Sequence, residues 1–543
     1  MRRGLAKPAT LGALFLLWAL PLAASLIAFM TVVADVEAWR AMLQHPQLSG
    51  ALLLSIWIAT AGLACALTMS LVIMMGIYGT PLWRRFQAFT GAALALPHLA
   101  FAIGFGFLIM PSGLLARILA GGELPPQWVT TQDPLGLSLI ACLALKETPF
   151  LLAILWSLLA RGDVAAAFTG QWRSARSLGH GTASAWLRVL LPQILPRLAG
   201  PIIIVWVYGA TVVDMALVIG PTQPPPLAVI AWADLNHADA AINARGMAAA
   251  AVLTLVLAVI AACVWVGITL MQRAFKVLMS IGPSPLAVTK APAVFLCSVL
   301  FAAYLLVAVM LVVVSLSGHW PYPELFPDRL QLEAWHHLWR EPAPLFLSLL
   351  LALATSGLAI GLAVLCLEVT GNRFDRFLMA AAVLCLGLPA LVIAGGQYRL
   401  FLAIGLTATL PGLWLAHFTA VFAYVFIVLK GPYRAFDPRW QSVANGLNSG
   451  KLRFWLQLKA PFLKAPLLMA VAIGFSVSMV QFVPAQLMAA GRFATLPMEA
   501  VTLASGGNRA LTASYALALT LAPALVFLAA FLFSRPRWRQ PWI

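Results

Sequence analysis

Twelve apolar stretches recur along this chain, each near the ~20 residues a helix needs to cross the hydrocarbon core of a bilayer. They run near 10–33, 50–78, 87–111, 135–160, 198–220 and 246–271, then near 293–316, 344–368, 377–401, 405–429, 465–490 and 510–534. Of the 543 residues 62% are hydrophobic and 9% charged, whereas a soluble domain carries about a quarter charged residues. Such a chain cannot be solvated as a water-soluble globule. The expected fold is an all-α polytopic membrane protein with about twelve transmembrane helices. A polar stretch containing "GPSP", residues 272–292, separates the two sets of six, so the expected halves are 1–271 and 293–543.

Lys and Arg set the orientation. With the N-terminus in the cytoplasm, 25 of the 34 basic residues fall in cytoplasmic segments, and 11 of the 17 acidic residues fall outside. Both termini are then cytoplasmic. The net charge of +17 is mostly an inside charge and needs no nucleic acid to explain it; membrane lipid is the partner that the apolar spans imply. The apolar run after Arg2, Arg3 and Lys7 is longer than a signal-peptide core of roughly 7–15 residues, and reads as a retained first span. The six cysteines lie inside apolar runs with no CxxC or Cys/His cluster, so they read as small apolar residues and no metal site or cofactor is indicated.

One basic, Gly-broken stretch occurs twice, after the fourth span of each half. "LGHGTASAWLRVLLP" begins at Leu178 and "LNSGKLRFWLQLKAP" at Leu447. Aligned without gaps, Ala175 meets Ala444, Leu178 meets Leu447, and Gly181 meets Gly450. Trp186-Leu187 meets Trp455-Leu456, and Pro192 meets Pro461. Gly179 meets Asn448; these two residue types best tolerate the left-handed conformation that ends a helix. Each copy therefore reads as helix, sharp turn, short helix and proline, with the Trp-Leu pair forming an apolar face. A second echo, "LALPHLAFAIG" and "CLGLPALVIAG" in the third and ninth spans, supports duplication. A parallel six-span repeat implies two pseudo-equivalent halves with a pathway between them.

These residues resemble a known family. "WRSARSLGHGTASAWLRVLLPQILP" looks like the EAA loop of ABC-importer permeases, most closely the fused twelve-span permeases of the iron(III), thiamine, polyamine and molybdate type. The family's Glu position holds Arg173 in the first copy and Ser442 in the second. The resemblance implies a type I importer-like permease subunit in a bacterial inner membrane. It implies two copies of a separate ABC ATPase subunit docking on the two loops, and a periplasmic solute-binding protein delivering the solute.

No nucleotide site is encoded. "NGLNSGKL" fails the phosphate-loop pattern: Gly446 and Gly450 are one residue too close, and Leu452 replaces the Ser or Thr that would hold Mg²⁺. Ionisable groups inside spans are costly and are candidates for the translocation path. "LALKETPF" puts Lys146 and Glu147 in the fourth span just before Pro149, which can free backbone groups. Two readings of the pair stand: a path site, or a structural pair whose lysine snorkels outward. Asp214 in the fifth span has Gln481 as its counterpart in the eleventh. They either flank the path or make helix–helix hydrogen bonds. His98 and His417 read as satisfied packing residues. The competing class, a secondary transporter with two six-span halves, has no need of paired docking loops.

Overall fold

The computed structural model describes residues 2–159, 162–279, 289–446 and 450–534. Among these, ten helices are long and apolar enough to cross a membrane, or up to twelve if each of two sharply bent pairs is one span. No strand is present among the described residues, apart from an isolated bridge between Ser317 and Leu330. The protein is an all-α polytopic membrane protein.

The Leu-Pro echo marks a break rather than continuous helix. In the third span, helix Pro81–Ala95 stops, Leu96 and Pro97 are extended, and helix His98–Ile109 begins. In the ninth span, Asn372–Gly387 stops at Leu388-Pro389 and Ala390–Ala403 leaves at 97°. Proline has no N–H to continue a helix and pushes the preceding residue to extended backbone, which is what Leu96 and Leu388 show. The fifth and eleventh spans also break, at Val212-Val213 and at Val480–Phe482.

The chain divides into two compact units. One holds residues 1–39, 234–247 and 333–543; the other holds 40–233 and 248–332. The first span thus packs with the eighth to twelfth, and the seventh span, Lys290–Ser315, packs with those of the first half. In the first unit the Trp18 indole donates to the Thr419 carbonyl at 2.9 Å. In the second, the Tyr304 ring of the seventh span packs at a 45° tilt against Phe101 of the third, with centroids 4.8 Å apart.

Within each unit, small residues let helices approach closely. The second span, Leu48–Ile77, buries Ser55, Ala59, Gly62 and Ala66 along one face; the eighth, Ala343–Val369, buries Ser348, Ala352, Ser356 and Ala359. A Cβ on Gly474 of the eleventh span would lie 2.9 Å from Val425 and 3.2 Å from Ser356. One long-range bond occurs in both units. The Leu227 N–H donates to Ser55 Oγ at 2.8 Å, and the Leu496 N–H donates to Ser348 Oγ at 2.8 Å. The duplication is therefore retained in tertiary hydrogen bonding as well as in motif.

Candidate functional site

The first loop is built by local rules. Helix Gly162–Ser177 ends in a Schellman cap: Gly179 has φ +91°, its N–H donates to the Arg176 carbonyl, and the His180 N–H donates to the Ala175 carbonyl, both at 3.1 Å. The Arg176 guanidinium also donates to the His180 carbonyl at 2.9 Å. Gly181 then starts the short helix Thr182–Ser184, which passes through a π-helical turn, Ala185–Leu190, into helix Leu191–Thr211 with Pro192 in its first turn. Ala175 is buried.

The Trp-Leu pair divides. Trp186 turns inward, 3% exposed, with its ring against Phe168 at 5.6 Å and edge-on to Tyr78 at 5.7 Å. Leu187 and Leu178 face out, the latter 70% exposed. The exposed apolar surface of the loop is thus leucine, and the tryptophan is its anchor. Ala166, Gly170, Ser174, Leu178, His180 and Arg188 line an adjoining groove of about 570 Å³.

The second loop repeats the plan with different chemistry. Helix Arg439–Gly446 carries buried Ala444; Leu447 and Asn448 lie outside the described residues. Gly450 starts helix Lys451–Phe454 in the same extended conformation as Gly181. A π-helical turn, Trp455–Lys459, follows at the register of the first, and Pro461 sits in the short helix Ala460–Phe462. Leu456 is exposed and the Trp455 indole donates to Tyr433 Oη at 2.9 Å. The paired π-turns carry no sequence signature apart from the aligned register itself.

Lys146 and Glu147 are both buried, and each takes a different partner. Lys146 Nζ donates to the Ala93 carbonyl at 2.9 Å, at the end of the first arm of the broken third span. Its ammonium also lies 5.7 Å from the Tyr304 ring centroid. Glu147 Oε1 is 3.0 Å from His98 Nε2, and the His98 ring packs on Tyr208 at 4.8 Å. Lys146 does not snorkel. His98, read from sequence as a packing residue, is the polar partner of Glu147. Pro149 lacks the N–H that would bond the Leu145 carbonyl, and the Tyr304 hydroxyl donates to that carbonyl at 3.5 Å instead.

Asp214 is the first residue of the half-helix Asp214–Ile219, within electrostatic range of His98. His98 and Asp214 thus each begin the second arm of a broken span, and Glu147 of the fourth span meets His98. Gln481 lies in the matching break of the eleventh span. Its Nε2 donates to the His417 carbonyl at 3.1 Å, while its Oε1 is buried without a hydrogen-bond partner. His417 Nδ1 meets Ser478 Oγ at 3.0 Å.

Fold and loops together define a polytopic helical membrane protein with an internal repeat, two of whose corresponding connections share a glycine-started short helix and a π-helical segment. No protein-family model matches the chain. Over 534 residues, 96% of this chain, it is 29% identical to the "Inner membrane ABC transporter permease protein YnjC" of Escherichia coli (strain K12), 96% of which is covered. The resemblance to ABC transporter permeases carried by the two loops therefore extends along nearly the whole chain.

Proposed function

We propose that this chain is the membrane-spanning permease subunit of an ABC importer. It sits in a bacterial inner membrane with both termini in the cytoplasm, receives its solute from a periplasmic binding protein, and is driven by two copies of a separate ATPase subunit. The observation that carries this reading is the loop pair: each copy has the glycine-started short helix and π-turn at the same register and presents an exposed leucine, Leu187 or Leu456. Two equivalent docking helices suit a dimeric ATPase, and the similarity to a protein named as an ABC transporter permease supports the same role. A secondary transporter driven by an ion gradient would have no use for them.

In this reading the ATPase seats on Leu178, Leu187 and the groove beside them in the first half, and on Leu456 in the second. The buried Ala175, Trp186 and Ala444, with the half-buried Trp455, hold the loops in shape. Glycines 179, 181 and 450 and prolines 192 and 461 fix where each helix stops and restarts. When the ATPase dimer closes, the loops approach one another and carry motion into the broken spans. Glu147 with His98, Asp214 and Gln481 line the translocation path, where polar groups are costly without a use. Lys146 serves the path indirectly, by tying the fourth span to the carbonyl end of the third span's first arm. The pseudo-equivalent halves are 1–271 and 293–543, joined by the cytoplasmic linker 272–292.

The test is coexpression with candidate ABC ATPase subunits from the same organism. Two ATPase copies should copurify per chain, and the chain alone should hydrolyse no ATP. Replacing Leu187 and Leu456 together by Asp should abolish association while the chain still inserts. Full association of that double variant would refute the docking assignment.

A further inference from the structure

Ring contacts hold both loops to their own units, Phe436 meeting Phe454 and Phe462 at the second, and the second adds a charged network. At the first loop, Trp186 packs between the rings of Tyr78, which follows the second span, and Phe168. At the second loop a charged network stands in the corresponding place. Lys459, the last residue of the π-turn, puts Nζ 2.5 Å from Glu368 Oε1 near the end of the eighth span. The position of Lys459 in the aligned first loop is Leu190, which is fully buried. Tyr433 donates its hydroxyl to the same Glu368 oxygen at 2.5 Å and accepts from the Trp455 indole at 2.9 Å. The Lys459 ammonium also lies 4.2 Å from the Tyr433 ring centroid. One carboxylate thus joins three elements: the eighth span, the end of the tenth, and the loop.

A neighbouring ion pair braces the same junction. Asp375, fully buried at the start of the ninth span, accepts from Arg434 Nε at 2.6 Å and from Thr370 Oγ1 at 2.7 Å. Arg434 also donates to the Thr370 carbonyl at 2.9 Å. The end of the eighth span, the start of the ninth and the end of the tenth are therefore one braced body, and Glu368 is the group through which the loop joins it.

We propose that Glu368 is a positioning residue, whose carboxylate clamps the second loop to the eighth span so that displacement of the loop is delivered to that span as rigid motion. The proposal rests on the reading of the loop as an ATPase docking site. It makes the two loops mechanically unequal. The first transmits through ring packing. The second adds to its ring contacts a charged hydrogen-bonded pair, Lys459 and Glu368, that is 15% and 36% exposed at its side chains and is stronger than a neutral bond in that setting.

The test uses the full chain in lipid nanodiscs, its six native cysteines replaced by Ala, with spin labels at Leu365→Cys on the eighth span and Leu452→Cys on the loop, both exposed positions. The interspin distance is measured for the chain alone and for its complex with the ATPase, nucleotide-free and trapped with ATP and vanadate. With Glu368 present the distance should change by less than about 1 Å on trapping; with Glu368→Ala or Lys459→Met it should change by about 2 Å or more, the scale of a helix shift. The exchanged pair, Glu368→Lys with Lys459→Glu, should return the distance to its unmoving value, which a merely misfolded variant would not do. Equal distance changes with and without Glu368, or failure of the exchanged pair to restore the fixed distance, would overturn the clamp. If the unaltered chain bound no ATPase, the docking reading would fall and the clamp's role in transmission with it. The distance distribution of the chain alone would then still report whether Glu368 holds the loop.

Discussion

Gly179→Val asks whether the first loop's turn matters as geometry. Gly179 has φ +91°, a region closed to a β-branched side chain at a cost of roughly 1–2 kcal/mol. The cap it closes contains two hydrogen bonds, to the Arg176 and Ala175 carbonyls, each worth about 1 kcal/mol net. The two bonds resist rearrangement, so the valine lowers the turn's population against rearranged loops by its strain of roughly 1–2 kcal/mol, a factor between about 5 and 30, and a loop that does rearrange gives up both bonds. Trp186, seven residues on, would leave its seat against Tyr78 and Phe168, and Leu178 and Leu187 would no longer share one surface. The assay is copurification of the ATPase from coexpressing membranes, read beside hydrogen exchange at the His180 amide. The valine variant should insert normally, lose the protection of that amide and lose ATPase association. Gly179→Asn should retain most of both, because Asn enters left-handed backbone more readily. Full association of the valine variant with an unprotected His180 amide would show that the turn does not place the docking surface. The second copy offers the same comparison: Asn448→Gly should be nearly silent and Asn448→Val should behave as Gly179→Val.

Ser55→Ala and Ser348→Ala should each destabilise the protein by about 1–3 kcal/mol, because each strands a buried backbone N–H, that of Leu227 or Leu496. Thermal unfolding in detergent would show this as two similar losses; a loss at one site only would argue against the equivalence of the two bonds. A double-mutant cycle between Glu147→Ala and His98→Ala should give a larger coupling energy than one between Glu147→Ala and Lys146→Ala, since Glu147 bonds His98 while Lys146 bonds the Ala93 carbonyl. Stronger coupling of Glu147 to Lys146 would restore the structural pair suggested by their adjacency.

Features that depend on neighbours along the chain were legible in the sequence. The apolar stretches follow from a length requirement set by the bilayer, and most of them appear as helices at the expected places. The left-handed turn at Gly179 was legible because a helix cap is a rule about five or six consecutive residues. So was the backbone group freed by Pro149, although the hydroxyl that meets it comes from Tyr304, more than a hundred residues away. Partners and directions were decided by tertiary structure. Lys146 and Glu147 are adjacent and opposite in charge, yet on a helix adjacent side chains diverge, and burial made each find the polar group that packing brought nearest. The Leu-Pro echo showed duplication, but the angle after it depends on what the second arm packs against. Trp186 and Leu187 look alike as an apolar pair; one turned inward because Phe168 of the loop's own helix and Tyr78, more than a hundred residues away, form a seat for its ring. The exchange of first spans between the compact units has no local signature, because apolar helices of similar length offer lipid and one another nearly the same surface. In a membrane the hydrophobic effect places helices in the bilayer without choosing their neighbours; small-residue faces and buried hydrogen bonds make that choice, and these exist only once the helices have met.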